Sequence, residues 1–325
     1  MRGLRRRLRF LAIATVIVGA GQCVTGGTTY RPSVHPLGWN ARGELLFIHQ
    51  EETGGYDWRE YACGGSGVYA LRRGNPRPAL TGRAWCGTAG GVAHTTFTLS
   101  SDARRLFAVP QYDRGDCGNL RALDLERGRW SQLYRTCVTN LAEVAVSPDG
   151  RAFVGYRTCS KRWGGGEPPQ VRPPGCVAPP DGRMRLFAAS GSGERPIGRP
   201  GHRDPVWSPD GRALLLRGQA DTIVHLELAT GAERVVAHGS DPAWSADGRW
   251  IAFIGDDHAS RRPRVSLRII RVNGGGERTV FAHAYGRTWN LETRANGIPE
   301  SPLWSPDGRR IVFARTTTVA IHSGW

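Results

Sequence analysis

The chain has 325 residues and 39% apolar residues, so it is long enough to bury a large core in one or two domains. Its formal net charge is +16, and nearly all of the positive charge is arginine, because Lys161 is the only lysine. No basic run with interleaved aromatic residues occurs, so we expect no nucleic-acid binding. The N-terminal apolar run is too short to span a bilayer.

The N-terminus predicts export. Five arginines precede the apolar run 10–18, and the small residues Gly19 and Ala20 follow where a signal peptidase would cut. We therefore assign residues 1–22 to an export signal and residues 23–325 to a single domain. The pair Arg6-Arg7 suits twin-arginine export, although an ordinary basic leader has the same composition. The mature protein is expected outside the cell or in the cell envelope.

Cys23 lies just beyond the apolar run, where a lipoprotein carries its lipidated cysteine. The preceding Gln22 fits that pattern poorly, because a small residue usually occupies its position. Seven cysteines leave one over if six of them pair. Lipidation of Cys23 and a free thiol both stay open at this point, and membrane association is expected only through such a lipid.

A ten-residue motif recurs six times. Three copies begin at Trp207, Trp244 and Trp304 and read WSPDGRALLL, WSADGRWIAF and WSPDGRRIVF. A fourth, VSPDGRAFVG, begins at Val146, and two degenerate copies, WNARGELLFI and LSSDARRLFA, cover 39–48 and 99–108. Proline presets φ and glycine accepts a left-handed conformation, so each copy predicts a tight β-hairpin. The motif aspartates are then turn formers and not catalytic groups: Asp149, Asp210, Asp247 and Asp307.

A second apolar pattern with a glycine turn follows each copy, so each repeat supplies four short strands, a to d. Four-stranded units at a regular period predict a propeller. The motif resembles the TolB-like (WD40-like) propeller repeat of bacterial envelope proteins over about residues 28–325. We expect an all-β, six-bladed β-propeller of four-stranded antiparallel blades. The last blade lacks an outer strand, and we expect an N-terminal strand at 28–34 to supply it and close the ring.

The cysteines other than Cys23 occur two per repeat in the first three repeats. In a propeller the b–c and d–a loops emerge on the same face, and these cysteines belong to such loops. Sequence alone allows many pairings. We expect one disulfide within each of these blades, because free thiols among the six cysteines fit badly with an exported chain: Cys63–Cys86, Cys117–Cys137 and Cys159–Cys176.

The long loops share this face and contain many aromatic and arginine side chains, the residue types that anchor interfaces. Some of these aromatics pack their own loops, but the set predicts a binding face. The predicted binding residues are Tyr56, Trp58, Arg59, Tyr61, Trp85, Tyr112, Arg114, Trp163, Arg287, Trp289 and Arg294.

No nucleophile elbow, phosphate loop, dinucleotide fingerprint or zincin motif is present. The leading hypothesis is a non-enzymatic, monomeric binding protein that docks another protein or an anionic envelope polymer and needs no cofactor or metal. The alternative is a propeller enzyme of the lactonase or polysaccharide-lyase type. It would use a metal, for example at Asp256-Asp257-His258, or loop carboxylates at the ring mouth: Glu51, Asp57, Asp113, Asp116 and Glu292.

Overall fold

The structure, a computed structural model, describes a large part of the chain with several gaps. The described residues are 30–40, 42–53, 67–72, 75–78, 96–100, 102–109, 118–136, 140–158, 181–189, 193–257, 264–284 and 299–315. Across these ranges the secondary structure is almost entirely β. No helix within them has the length and apolarity that a membrane-spanning segment needs.

The strands form successive antiparallel sheets, one for each motif copy. Blades I to III contain β1 (Tyr30–Trp39), β2 (Leu45–Thr53), β3 (Gly67–Arg72), β4 (Asn75–Pro78), β5 (Thr96–Leu99), β6 (Arg105–Val109), β7 (Gly118–Asp124), β8 (Arg129–Thr136), β9 (Asn140–Val146), β10 (Ala152–Thr158), β11 (Met184–Ala188) and β12 (Arg195–Ile197). Blades IV and V contain β13 (Arg203–Trp207), β14 (Ala213–Arg217), β15 (Thr222–Glu227), β16 (Glu233–His238), β17 (Ser240–Trp244), β18 (Trp250–Asp257), β19 (Arg264–Arg271) and β20 (Arg278–Ala284). A 3-10 turn, Gln219–Asp221, precedes β15.

The last sheet has two strands, β21 (Pro299–Trp304) and β22 (Ile311–Arg315). The described residues therefore form five four-stranded blades and one two-stranded sheet, which corrects the expectation of six four-stranded blades. The sixth motif copy does form its hairpin, because Trp304 pairs with Ile311 across the turn. Residues after Arg315 lie outside the described part of the chain.

The expected closing strand is also corrected. Tyr30 pairs with Thr53 and Val34 pairs with His49, so the N-terminal segment lies against β2 in blade I. This segment runs directly into the first strand of blade I, and the continuous strand β1 takes up the edge of β2 over its whole length. It therefore adds no outer strand to the last sheet.

The first strand of each sheet lies nearest the propeller axis. Neighbouring first strands contact one another in the order β1, β5, β9, β13, β17 and β21, and β21 contacts β1 again. The guanidinium of Arg310 also lies 5.3 Å from the ring centroid of Trp39, which joins the last sheet to blade I. The ring therefore closes through packing between blades.

Successive residues of a strand pack alternately against the preceding blade and the following blade. In β14, Leu214 and Leu216 join a buried cluster with Val154 of blade III, whereas Leu215 joins one with Phe253 of blade V. All of these side chains are buried, as expected for strands that are apolar on both sides. The core therefore lies between the blades.

The motif turn is stabilised by its own polar groups. In the copy at Ser208, the serine hydroxyl donates to Asp210 at 2.6 Å and accepts the backbone N–H of Ala213 at 2.9 Å. Asp210 also accepts the backbone N–H of Arg212 at 3.1 Å, and Gly211 has a φ of 71°. The expectation that the motif aspartates form turns is confirmed by this network, which recurs around Asp149, Asp247 and Asp307.

The two degenerate copies form equivalent turns with substitutions. Ala103 takes the left-handed position in the copy at Ser100, with a φ of 54°. In the first copy Asn40 replaces serine, and its side-chain oxygen accepts the backbone N–H groups of Arg42 and Glu44 at 3.0 Å. Hydrogen bonding therefore preserves the turn where the motif sequence has been lost.

Candidate functional site

Antiparallel topology separates the connections of the propeller into two faces. The a–b and c–d connections share one, which we call the turn face. The b–c and d–a connections share the other, which we call the loop face. The longer connections, 54–66, 79–95, 159–183 and 285–298, all belong to the loop face. The described strand ends that flank these connections therefore lie on one side of the ring, as the sequence predicts.

All of the predicted binding residues occur in loop-face connections, and all lie outside the described residues. The six cysteines expected to form disulfides and Cys23 also lie outside them, so the disulfide assignment stays a prediction. What the structure does describe on this face is the frame that carries the loops. That frame consists of the loop-face ends of the strands, including the innermost ones.

Three acidic residues occupy equivalent positions in the innermost strands of blades III, IV and V. Glu143, Asp204 and Asp241 each lie three residues before the end of the first strand, and their φ values are 52°, 51° and 50°. The strand register shifts at each of these sites. A left-handed conformation costs a non-glycine residue about 1–3 kcal/mol and is often found at functional sites. Bulges of this kind turn a side chain away from the regular pleat.

These residues were not predicted as functional from the sequence, although a signal was present. The strings Asp204-Pro205-Val206-Trp207 and Asp241-Pro242-Ala243-Trp244 repeat the same Asp-Pro pair before the motif tryptophan. Proline disfavours the right-handed helical region for the residue before it. The resulting bulge depends on pairing with the second strand, however, so the motif alone does not specify a left-handed residue.

The acidic positions of blades III and IV are coupled to each other and to Arg217. The backbone N–H of Asp204 donates to Oε2 of Glu143 at 3.2 Å. Arg217 lies 3.7 Å from Oδ2 of Asp204 and donates to Asp221 at 2.6 Å. In blade V the hydroxyl of Ser240 donates to Oδ2 of Asp241 at 3.0 Å. Arg217 therefore partly neutralises Asp204 and Asp221 on this part of the loop face.

Tyr156 and His202 lie beneath this rim, between blades III and IV. The Tyr156 hydroxyl donates to the backbone oxygen of His202. Burial raises the pKa of Tyr156 to about 12, and the charge of Glu143 adds to the rise, so the phenol stays protonated. Burial also lowers the pKa of His202, against the opposing effect of Glu233. A neutral imidazole suits the hydrogen bond that His202 makes, because its Nδ1 accepts the backbone N–H of Arg199 at 3.3 Å.

Comparisons with known proteins give a likeness of fold only. No family model matches the sequence, and no curated protein matches it. Among solved structures, TolB from Acinetobacter baumannii is similar with 15% identity and a TM-score of 0.47, covering 85% of this chain and 56% of that one. An oligogalacturonate lyase from Vibrio parahaemolyticus has 15% identity and a TM-score of 0.49, covering 88% and 87%. An oligogalacturonate lyase in complex with manganese has 18% identity and a TM-score of 0.48, covering 88% and 86%.

The chain is a β-propeller. The sheet topology and the closed ring of inner strands establish this, so the propeller that the repeat motif predicts is confirmed at the level of the fold. This chain spans little more than half of the TolB chain to which it is similar.

The metal site considered at Asp256-Asp257-His258 is only partly described. Asp256 is exposed at the end of β18 and pairs with Val265 in the sheet, whereas His258 lies outside the described residues. No group of three or more potential metal-ligating side chains occurs within the described ranges of the propeller. Glu143, Asp204 and Asp241 are described carboxylates near the loop face that could contribute oxygen ligands.

Proposed function

We propose that this propeller is an exported binding protein whose loop face docks another protein or an anionic polymer of the cell envelope. The observation that carries the proposal is the difference between the two faces. On the turn face, motif turns direct their serine, aspartate and backbone groups into their own hydrogen bonds. The loop face bears the longer connections instead, and rigid scaffolds commonly carry binding residues on such loops.

The composition of those connections supports an interface. Their predicted binding residues are tryptophan, tyrosine and arginine, which bury large areas and form directional contacts at interfaces. Trp58, Trp85, Trp163 and Trp289 belong to four different connections of the same face. A partner seated across the ring would therefore meet anchors from several blades at once.

Export and disulfide bonds complete the proposal. The basic and apolar leader supports export, and three intrablade disulfides would stiffen the loops in an oxidising compartment. Lipidation of Cys23 would anchor the chain to a membrane, whereas cleavage without lipidation would release it. We infer that the mature chain is a monomer.

The test is a pull-down from envelope extract of the producing organism with the mature chain as bait. A variant with Trp58, Trp85, Trp163 and Trp289 changed to Ala removes the proposed anchors. A control variant changes four exposed turn-face residues to Ala: Arg42, Glu126, Arg151 and Arg212. Circular dichroism and thermal unfolding must show that both variants are folded. We expect the native chain and the control to retain a partner that the tryptophan variant loses, and equal retention by all three baits would contradict the proposal.

An enzyme of the lactonase or polysaccharide-lyase type is the second candidate. It is favoured by the three carboxylates at strained, equivalent positions near the ring mouth, because such positions often serve function. The test measures bound metal and the cleavage of lactones and uronate polymers by the mature chain, with Asp204→Asn and Asp241→Asn as variants. Activity that both substitutions abolish in folded protein would support the enzyme. A lack of turnover with every substrate would leave the binding protein as the better proposal.

A further inference from the structure

Two arginines lie over one tryptophan on the turn face of blade V. The guanidinium carbon of Arg271 is 5.3 Å from the ring centroid of Trp250, and that of Arg278 is 5.6 Å from it. Trp250 begins β18, Arg271 ends β19 and Arg278 begins β20, so adjacent strands bring the three together at one end of the blade. We call them the Arg–Trp–Arg cluster. It lies on the face opposite the long loops.

The backbone around the cluster is held in place. The N–H of Arg271 donates to the backbone oxygen of Gly275 at 2.9 Å, and its own backbone oxygen accepts the N–H of Gly274 at 2.8 Å. Gly276 completes this turn with a φ of 69°. Cation–π contact restricts each guanidinium to the neighbourhood of the ring. A ligand would thus find both side chains partly ordered, which lowers the entropy cost of binding.

The nearby carboxylates are already engaged. Asp247 accepts the Ser245 hydroxyl at 2.6 Å and the backbone N–H of Arg249 at 3.0 Å. Glu277 forms an ion pair with Arg268 at 3.1 Å. Within the described residues, no carboxylate lies within ion-pair distance of Arg271 or Arg278, and both arginines are exposed. Their N–H groups are therefore available to a ligand.

We propose that the Arg–Trp–Arg cluster binds phosphate groups of a soluble anionic polymer. A guanidinium whose face lies against an aromatic ring keeps its N–H edge free, and that edge matches a phosphate in a bidentate contact. A phosphate has several oxygens that two arginines can share, and a polymer also offers successive phosphates to them. The tryptophan ring positions the two charges and need not contact the ligand.

A discrete phosphate polymer fits this cluster better than a flat anionic membrane. A membrane responds to the charge averaged over about a Debye length, roughly 8 Å at physiological ionic strength. Glu277 is paired with Arg268 and Asp247 lies close to Arg249, so neither pair adds net charge to that average, which then depends on Arg271 and Arg278. A phosphate held by individual guanidinium groups depends instead on short, local hydrogen bonds.

The experiment measures the affinity of the mature chain for fluorescently labelled inorganic polyphosphate by anisotropy. The test variant is Arg271→Gln/Arg278→Gln. The control, Arg151→Gln/Arg212→Gln, removes the same charge from exposed turn-face positions of blades III and IV. We expect the test variant to bind at least about tenfold more weakly and the control to change by less than about twofold, because charge-assisted hydrogen bonds are local. Trp250→Phe should give an intermediate loss, since phenylalanine holds cations less strongly.

Parallel measurements with phosphatidylglycerol vesicles and with polygalacturonate identify the source and chemistry of the ligand. Thermal unfolding confirms that each variant is folded. Equal weakening by the test and control variants would show diffuse attraction and overturn the proposal, and so would an absence of polyphosphate binding by the native chain. A test variant that loses vesicle or polygalacturonate binding while keeping polyphosphate binding would overturn it in favour of a membrane or a carboxylate polymer.

Discussion

Two tryptophans at equivalent positions differ in one hydrogen bond. The indole N–H of Trp207 donates to the backbone oxygen of Ala145 in the preceding blade at 3.0 Å, and the contact is buried. Trp304 ends the first strand of the last sheet in the same way and is 6% exposed, yet its indole nitrogen has no acceptor in the described part of the chain. Substitution by phenylalanine removes the N–H at each site and keeps an aromatic ring there.

Trp207→Phe should destabilise the protein, whereas Trp304→Phe should not. Loss of the indole donor at Trp207 removes a buried hydrogen bond, worth about 0.5–1.5 kcal/mol, and the smaller ring costs about 1 kcal/mol more in packing. At Trp304 the packing loss is similar, but removal of an unsatisfied buried N–H offsets it. We therefore expect the two free energies of unfolding to differ by about 2 kcal/mol.

Urea unfolding followed by circular dichroism measures this difference, provided that both variants keep the same slope with denaturant. Trp244→Phe extends the comparison, because the indole of Trp244 donates to the backbone oxygen of Val206 at 3.2 Å. It should resemble Trp207→Phe. If all three variants lost equal stability, the indole hydrogen bonds would contribute nothing and the reasoning would be wrong.

Two further predictions concern the turns and the blade junctions. The hydroxyl of Ser208 is the main cause of the lowered pKa of Asp210. The stability that the ionised Asp210 carboxylate gives the fold is therefore present above the ordinary aspartate pKa and is lost as the pH falls through the lowered pKa. Ser208→Ala should raise this pKa toward its ordinary value in an NMR titration and Ser208→Thr should keep it low; an unchanged pKa in the alanine variant would refute the assignment. Gly239→Ala should prevent folding or cost well over 2 kcal/mol, because a Cβ there would lie 2.2 Å from the backbone oxygen of Ile254. Gly231→Ala, which meets nothing within 4 Å, should cost only about 1 kcal/mol, and similar melting temperatures for both variants would contradict this.

The turns could be predicted from the sequence because they are local. A serine, an aspartate and a glycine at fixed spacing supply the hydrogen bonds and the left-handed residue within six positions, as around Asp210. Repetition of that turn with apolar strands on both sides then predicted the propeller. The same logic could not distinguish a strand of blade I from a closing strand, because Tyr30–Trp39 suits either position and only pairing with Leu45–Thr53 decides.

The candidate site was harder to predict for the same reason. The aromatic and arginine residues of the loops could be assigned to one face by counting strands, although their positions lie outside the described residues. The acidic rim was missed because left-handed φ values at Glu143, Asp204 and Asp241 arise from bulges against neighbouring strands. The Arg–Trp–Arg cluster joins residues that are distant in the sequence but adjacent across three strands.

The sequence by itself determined the repeated hairpin, the all-β class and the separation of short turns from long loops, since each depends on residues close together in the chain. Tertiary structure alone decided which strands pair at the N-terminus, how many complete blades the described residues form, and which indole N–H groups find an acceptor. Those outcomes depend on pairing and packing between separate strands and, for the indole groups, on strands of different blades. For example, the partner of Trp207 is the carbonyl of Ala145 in the preceding blade, which no local pattern around Trp207 specifies.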